Sequence, residues 1–365
     1  MRVGDELTVK PEKLIAGGES LSRVEGVPVF APNLYPGDVA IVRLTEVKKG
    51  FARGAVVRVV EVSADRRAEP CPIADECGGC DWTSLRLDRQ LVAKREILTE
   101  SLRRIGRFDP ASLPEINVHP SPLNYRLRSR LHQDGDAVGF YATGSHRVVP
   151  LARECEVVGI ETAQRPLPGE TWELDDRLIA DEEELTIHVG EYHYRLSTGA
   201  FFQVNRHLLG TMIRLVTAHA ARTEARESAI DLYAGVGFFT VPLARMFERV
   251  ISVEGSPLSH RYAQLNVPEN VTLVHAAVES YVRRMPAADF IFLDPPRAGA
   301  RQEVIEAAGE KARRAICYLS CDPVTFARDA QRLSASGWRL TSLDLLDLFP
   351  NTHHVETLSS FERAG

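Results

Sequence analysis

Cys321 lies in the stretch ICYLSCDPVTFARDA, just past an apolar run and just ahead of a segment with helical character. A thiol placed there is within reach of helix-terminal N–H groups that can favour a thiolate, and a thiolate is a nucleophile. Cys317, four residues earlier and inside the apolar run, reads instead as core packing, because a buried free cysteine behaves as a small hydrophobe. Glu356, in LFPNTHHVETLSSFER, follows a loop and opens a strand. A carboxylate so placed can act as a general base or simply stand in solvent. The neighbouring His353 and His354 have no further acids or histidines at metal-ligand spacing, so they are not read as a metal site.

A second group of residues points to a bound nucleoside. In AIDLYAGVGFFTVPLA an apolar run ends in Asp231, Leu232 and Tyr233, a Gly235-x-Gly237 turn follows, and then a helical segment. Glycines there let the backbone approach a ligand closely at a helix start. A dinucleotide fingerprint would place a third glycine at position 240, where Thr240 stands. The next run ends in Glu254, an acid able to accept both ribose hydroxyls. Asp294 ends the run FIFLDPPRAGA, with two prolines that stiffen the loop after it. This pattern suits a nicotinamide cofactor or S-adenosylmethionine.

The third group is Cys71, Cys77 and Cys80, with Cys155 far downstream. Nothing at the start of the chain has the basic-then-apolar form of a secretory leader, so a disulfide framework is not expected. Four thiolates suit an iron–sulfur cluster or a tetrahedral zinc ion, and the single Cys-x-x-Cys pair leans toward iron.

These residues need elements to hold them. At 365 residues, 44% hydrophobic and 26% charged, the chain has the composition of a globular protein of two or three domains. It has no window near the ~20 apolar residues of a bilayer span, and the cytoplasm is the expected compartment. Residues 1–62 alternate short apolar stretches with Gly and Pro turns, which predicts a small antiparallel OB-like barrel. Residues 63–199 hold the cysteines, an amphipathic helix near 89–105 that could pack on the last domain, and strand-like pieces from Tyr125 onward. From residue 200 strands and helices alternate, which predicts an α/β domain with a doubly wound parallel sheet. Ligands of such sheets lie past the carboxyl ends of the strands, where Tyr233, Glu254, Asp294 and Cys321 all fall.

The net charge of −6 disfavours a polyanionic partner on average, but residues 86–132 carry +5 and residues 170–184 carry −7. A basic, RNA-facing surface therefore remains open.

The motifs CPIADECGGC, FFQVNR, DLYAGVGFFTVPLA, LDPPRAGA, LSCDPVTFARD and LFPNTHHVETLSSF, in this order, resemble the RNA uracil-5 methyltransferase family, in particular its iron–sulfur-containing 23S ribosomal RNA members. The resemblance runs nearly end to end. It implies an N-terminal TRAM barrel that binds RNA, a central β-rich domain with a [4Fe–4S] cluster, and a C-terminal Rossmann-like domain for S-adenosyl-L-methionine. Carried over by position, the nucleophile falls on Cys321 and the base on Glu356. Donor contacts fall on Gln203, Tyr233, Glu254 and Asp294 beside Gly235 and Gly237, and cluster ligands on Cys71, Cys77, Cys80 and Cys155. The family usually has Cys where Ala234 stands and Asn where Asp322 stands. An ionised Asp322 would oppose a thiolate next to it, so its carboxylate is expected to be hydrogen-bonded away or turned outward.

The chemistry implied is addition of Cys321 to C6 of a flipped uridine, methylation at C5, and removal of the C5 proton by Glu356. The expected partner is RNA, held by the barrel and by Arg103, Arg104, Arg126, Arg128 and Arg130, with no DNA or membrane partner and a monomeric state. The competing readings are a tRNA-directed member of the same family, an iron–sulfur nicotinamide oxidoreductase, and a non-catalytic RNA-binding factor.

Overall fold

The computed structural model describes residues 1–181 and 183–363. Six strands come first: β1 (Glu6–Val9), β2 (Pro11–Leu14), β3 (Ser20–Val24), β4 (Val27–Ala31), β5 (Val39–Val47) and β6 (Ala52–Glu61). They form one sheet in the order β1-β5-β6-β4-β3-β2. Lys10 alone separates β1 from β2, so one bent segment supplies both edges and rolls the sheet around Val9, Val29, Leu34, Val42 and Leu44. The barrel is not wholly antiparallel as expected: β4 and β6 pair parallel, because the long β5–β6 hairpin folds back across the sheet.

Next come α1 (Leu87–Arg104), β7 (Ile116–His119), β8 (Arg128–Asp134), β9 (Ala137–Tyr141), β10 (Val148–Pro150), α2 (Ile160–Gln164), β11 (Gly169–Leu174), β12 (Arg177–Ala180), β13 (Glu184–Val189) and β14 (Tyr192–Ser197). Five of these strands form a small sheet, β10-β9-β8-β11-β12, and β13-β14 is a hairpin. Segment 63–199 does not keep to itself. β7 pairs parallel with a strand of the C-terminal sheet, and the β13-β14 hairpin shares that domain's core through Leu185, Ile187 and Tyr194. Part of the acidic run lies beside the basic one: Glu170 faces Arg130 across β11 and β8, with their charged atoms 3.7 Å apart. The charge split read from the sequence is therefore partly cancelled in space.

The C-terminal part runs α3 (Leu209–Ala221), β15 (Ser228–Leu232), α4 (Thr240–Ala244), β16 (Arg249–Glu254), α5 (Pro257–Asn266), β17 (Val271–His275), α6 (Val278–Tyr281), β18 (Ala288–Leu293), α7 (Gln302–Lys311), β19 (Ala312–Ser320), α8 (Pro323–Ala335), β20 (Trp338–Leu346) and β21 (Glu356–Arg363). The sheet order is β17-β16-β15-β18-β19-β21-β20-β7. β17 through β19 are parallel, and β21 runs antiparallel between β19 and β20.

The sheet is covered on both faces, as its near-continuous apolar strands require. Side chains alternate along each strand: Ile316 and Tyr318 enter one core, Cys317 and Leu319 the other. The first core also takes in Leu14 and Tyr35 of the barrel, Trp82 of the cysteine-rich segment, and Ile97, Leu98 and Leu102 of α1. The barrel, the cysteine-rich segment and α1 are thus anchored on the α7–α8 face of the sheet, while Leu127, just ahead of β8, and Trp172 of β11 pack into the opposite core.

Candidate active site

Strand order reverses between the parallel neighbours β15 and β18, the switch point where a doubly wound sheet opens a crevice past its strand ends. Tyr233 follows β15, Glu254 ends β16, Asp294 follows β18 and Cys321 follows β19. Because β21 is antiparallel, its first residue, Glu356, lies at the same edge. The register ends with Ser320 paired to Thr357, so Cys321 and Glu356 are the next residue on each chain, near enough for the Glu356 carboxyl to act on the Cys321 thiol.

A cleft at this edge is lined by Phe201, Gln203, Tyr233, Gly235, Phe238 and Asp294, among others. Gln203 Nε2 donates to Asp294 Oδ2 at 3.2 Å. Glu254 accepts from the backbone N–H of Gly235 at 2.7 Å and of Ser256 at 2.6 Å, which fixes its carboxylate beside the Gly-x-Gly turn. Gly235 and Gly237 have φ of 57° and 90°, a region that favours glycine, and Tyr233 at 65° shares it. The Tyr233 hydroxyl donates to Glu279 at 3.0 Å. Of the six residues expected to meet a methyl donor, Gln203, Tyr233, Gly235 and Asp294 line this cleft, while Glu254 is tied to it through the Gly235 N–H and Gly237 is not part of the lining.

Burial in the crevice shifts three of its acids toward the protonated form. Burial first, then the nearby Asp231 carboxyl, pushes Asp294 up to about 8, against the hydrogen bond from Gln203. Burial, and then Asp294, raises Glu356 well above the usual carboxylate range. Burial likewise pushes Asp231 up to about 7 against its bond from Thr240. Such acids suit a site whose ligand brings positive charge.

The expectation of a helix-stabilised thiolate at Cys321 is overturned. Burial, followed by the Glu356 and Asp294 carboxyls, pushes the thiol up to about 12, and the nearby Arg297 opposes this. The N–H groups that open α8 are already taken: Asp322 Oδ1 accepts from Val324 at 3.0 Å and Thr325 at 2.8 Å. Asp322 is thus hydrogen-bonded as expected, but its charge still adds to the rise at Cys321, and its other oxygen lies 3.9 Å from Arg297. Arg297 was not singled out from the sequence, although its place directly after Asp294-Pro-Pro puts it on the loop beside this edge. Cys317 is fully buried, as expected for core packing.

The four other cysteines meet between the barrel and the small sheet. All are free and partly buried. Cys155 raises the thiol pKa of Cys71, Cys77 and Cys80 in turn, and burial is the larger cause for each. The group is therefore brought together, although no three His, Cys, Asp or Glu side chains among the described residues converge on a single-ion site. Arg126, expected on an RNA-facing surface, turns inward here. Its charge acts on Cys77 and Cys80, and its Nε is buried with no hydrogen-bond partner among the described residues. Arg128 is half-withdrawn too, stacked over Trp172 and Phe201, while Arg103, Arg104 and Arg130 remain exposed.

The family described as tRNA (Uracil-5-)-methyltransferase matches residues 173–287 and 280–363, and the TRAM domain matches residues 1–57. A 23S rRNA (uracil(1939)-C(5))-methyltransferase of Edwardsiella ictaluri is 32% identical over 98% of this chain and 96% of its own length. An uncharacterised RNA methyltransferase of Bdellovibrio bacteriovorus is 30% identical over 98% and 95%. Among solved structures, the Pyrococcus abyssi tRNA (uracil-54, C5)-methyltransferase in complex with S-adenosyl-L-homocysteine superposes with a TM-score of 0.74 over 97% of this chain and 99% of that one, at 23% identity. With the strand-end crevice and the adjoining Cys321 and Glu356 in place, the chain belongs to the RNA uracil-5 methyltransferase family.

Proposed function

We propose that this protein methylates C5 of a uridine in 23S ribosomal RNA, using S-adenosylmethionine as donor and a transient bond between Cys321 and the base. The observation that carries the reading is the adjoining pair Cys321 and Glu356 at the edge that also bears Asp294 and the Gly-x-Gly turn. Uracil C5 is too weakly nucleophilic to take a methyl group directly at a useful rate. Cys321 adds through sulfur to C6, the C5–C6 electrons move to make an enolate, and C5 takes the methyl group as the sulfonium becomes a thioether. Glu356 then removes the C5 proton and the C6–sulfur bond breaks, which restores the ring and frees Cys321. Because burial raises the pKa of both Cys321 and Glu356, donor binding has a second role: a sulfonium in the crevice favours ionisation of the groups around it.

Gln203, Tyr233, Gly235, Gly237, Glu254 and Asp294 are assigned to the donor. Family membership favours methyl transfer over nicotinamide redox chemistry or a non-catalytic role. The ribosomal substrate is favoured by the full-length similarity to a 23S enzyme, and tRNA is the second reading, favoured by the fold shared with the Pyrococcus abyssi protein. Residues 1–62, 63–199 and 200–365 are taken as RNA-binding barrel, cysteine-bearing domain and methyltransferase domain, acting as a monomer in the cytoplasm without DNA or membrane partners. Among the described residues no helix is long and apolar enough to cross a membrane.

Cys71, Cys77, Cys80 and Cys155 are assigned to a [4Fe–4S] cluster. The residues fit such a group: four free thiols that repel one another as thiolates, with the inward-turned charge and orphaned N–H of Arg126 beside them. When bound, a cluster supplies the cationic iron that lets four thiolates share one place. The test of the main reading is incubation of the protein and S-adenosylmethionine with 23S rRNA and with tRNA lacking 5-methyluridine, followed by nucleoside mass spectrometry. One new 5-methyluridine in 23S rRNA is expected. Methylation of tRNA alone would select the second reading, and methylation of neither would overturn both.

A further inference from the structure

Glu356 is delivered by the connection between β20 and β21, residues 347–355, and the polar anchors of that connection come mostly from the N-terminal half. Lys94 of α1 donates to Asp347 Oδ1 at 2.6 Å and to the Phe349 carbonyl at 2.9 Å. The centre of the connection is Asn351, fully buried, with a left-handed φ of 65° that asparagine tolerates better than most residues. Its backbone N–H donates to Gln90 at 2.8 Å, and its carbonyl accepts from the N–H groups of Asp81 and Trp82 at 3.1 and 3.0 Å. Its side-chain oxygen accepts from Arg67 and Gln90, and its amide donates to Glu156 Oε2 at 3.0 Å. Two residues on, His353 donates through its backbone N–H to Asp81 Oδ1 at 3.0 Å.

Asp81 directly follows Cys80, and Glu156 directly follows Cys155. Two of the four cysteines are thus each one residue from an acid that grips the Glu356 connection. Every polar group of Asn351 is used, so it cannot shift without stranding a buried donor or acceptor, which costs about 1–3 kcal/mol each.

We propose that Asn351 is a positioning residue through which the four-cysteine site sets the place of Glu356. Whatever binds Cys80 and Cys155 fixes Asp81 and Glu156, these fix Asn351, and Asn351 fixes the strand start that carries the base. This rests on the proposed function, in which Glu356 removes the C5 proton. The role is separable from donor and RNA binding, because Asn351 is not among the residues that line the donor crevice.

The test uses the full-length protein with Glu156→Gln, which weakens one anchor conservatively, and Asn351→Gly, which keeps the left-handed backbone and removes the amide. Both are compared with wild type and Glu356→Gln. Hydrogen–deuterium exchange of the peptide spanning 347–356 should quicken at least tenfold in both variants, with peptides around Gly235 and Asp294 unchanged. It should also quicken in wild type stripped of iron with a chelator under oxidising conditions. Turnover with 23S rRNA should fall roughly ten- to a hundredfold in kcat while KM for S-adenosylmethionine stays within twofold, and covalent protein–RNA adduct should build up on denaturing gels. Unchanged exchange in 347–356, or a loss of kcat without adduct accumulation, would overturn the proposal. Absence of adduct in Glu356→Gln itself would instead overturn the base assignment, so the two failures are told apart.

Discussion

Cys321 and Glu356 are the residues directly beyond the Ser320–Thr357 pair that closes the antiparallel ladder of β19 and β21, and the Glu356 carboxyl acts on the Cys321 thiol. The insertion of β21 between β19 and β20 creates this relationship. In an all-parallel sheet, a residue at the start of a strand would lie at the far edge, away from Cys321. Reversing the strand brings its first residue to the crevice. Facing positions hold Cβ atoms about 4.5–5.5 Å apart, so residues just past the last pair leave a thiol and a carboxyl close together and both able to reach a ring inserted there.

Cys321→Ala is therefore expected to lower methyl transfer by at least ~10³-fold, because the unassisted C5 is a poor nucleophile and covalent activation is lost. Affinity for RNA should stay within a few-fold. Glu356→Gln should leave addition and methylation possible but block proton removal, trapping an adduct that survives denaturing electrophoresis. Steady turnover by the alanine variant, measured as methyl incorporated into RNA, would remove Cys321 from the mechanism.

The raised pKa of Cys321 gives a direct pH dependence. At any pH below about 12 the thiolate fraction of the donor-free protein grows about tenfold per pH unit. Peptide-level mass spectrometry of iodoacetamide labelling should show Cys321 alkylation climbing steadily from pH 7 to pH 10 with no plateau. A plateau below pH 9 would mean that the resting site stabilises the thiolate, against the arrangement in which Asp322 occupies the N–H groups of α8.

Much of the site was legible because the strand ends announce themselves: apolar runs closing on Tyr233, Glu254, Asp294 and Cys321 carry their own register. The residues that hold the site in place were not. Lys94 and Gln90 lie on the buried face of α1 with Ile97 and Leu98, but a hydrophobic pattern treats a lysine and a glutamine as solvent-facing. Strand β7 is four residues long with only half of them apolar, so nothing in INVH says that it extends a sheet built from residues more than a hundred positions away. Arg126 reads as one more basic residue of a positive run. Its place beside Cys77 and Cys80, over the Phe140 ring, is set by tertiary packing.

The Lys94–Asp347 contact is the clearest of these hidden anchors, since both side chains are almost completely buried. Burial lowers the lysine pKa and the aspartate opposes that shift. Removing one partner of such a pair leaves an uncompensated buried charge, a loss of about 3–5 kcal/mol. Lys94→Met should therefore destabilise strongly in denaturant unfolding, and Lys94→Met combined with Asp347→Leu should recover most of the loss. A double variant no more stable than the single one would show that the Phe349 carbonyl contact, rather than the charge pair, is what matters.

Asp294 links the chemistry to stability. Its carboxyl titrates near 8 in the folded crevice and near 3.9 when unfolded, so between those values the folded protein holds a proton that the unfolded chain has lost. Stability from this group is complete below about pH 4 and drains away as pH rises toward 8, because rising pH favours the state that binds fewer protons. The donor-free protein should accordingly melt at progressively lower temperature from pH 5 to pH 8. Asp294→Asn, which cannot ionise, should flatten that decline and be more stable near pH 8 by on the order of a few kcal/mol. Asp231 and Glu356, raised in the same direction, add to the decline, whereas His354, lowered to about 4 by burial, opposes it below about pH 6.5. The same substitution should cost affinity for S-adenosylmethionine in calorimetric titration, since the proposed function assigns the Asp294 carboxylate to the donor. A variant less stable than wild type at pH 8, with the slope unchanged, would mean that Asp294 is already ionised in the resting protein.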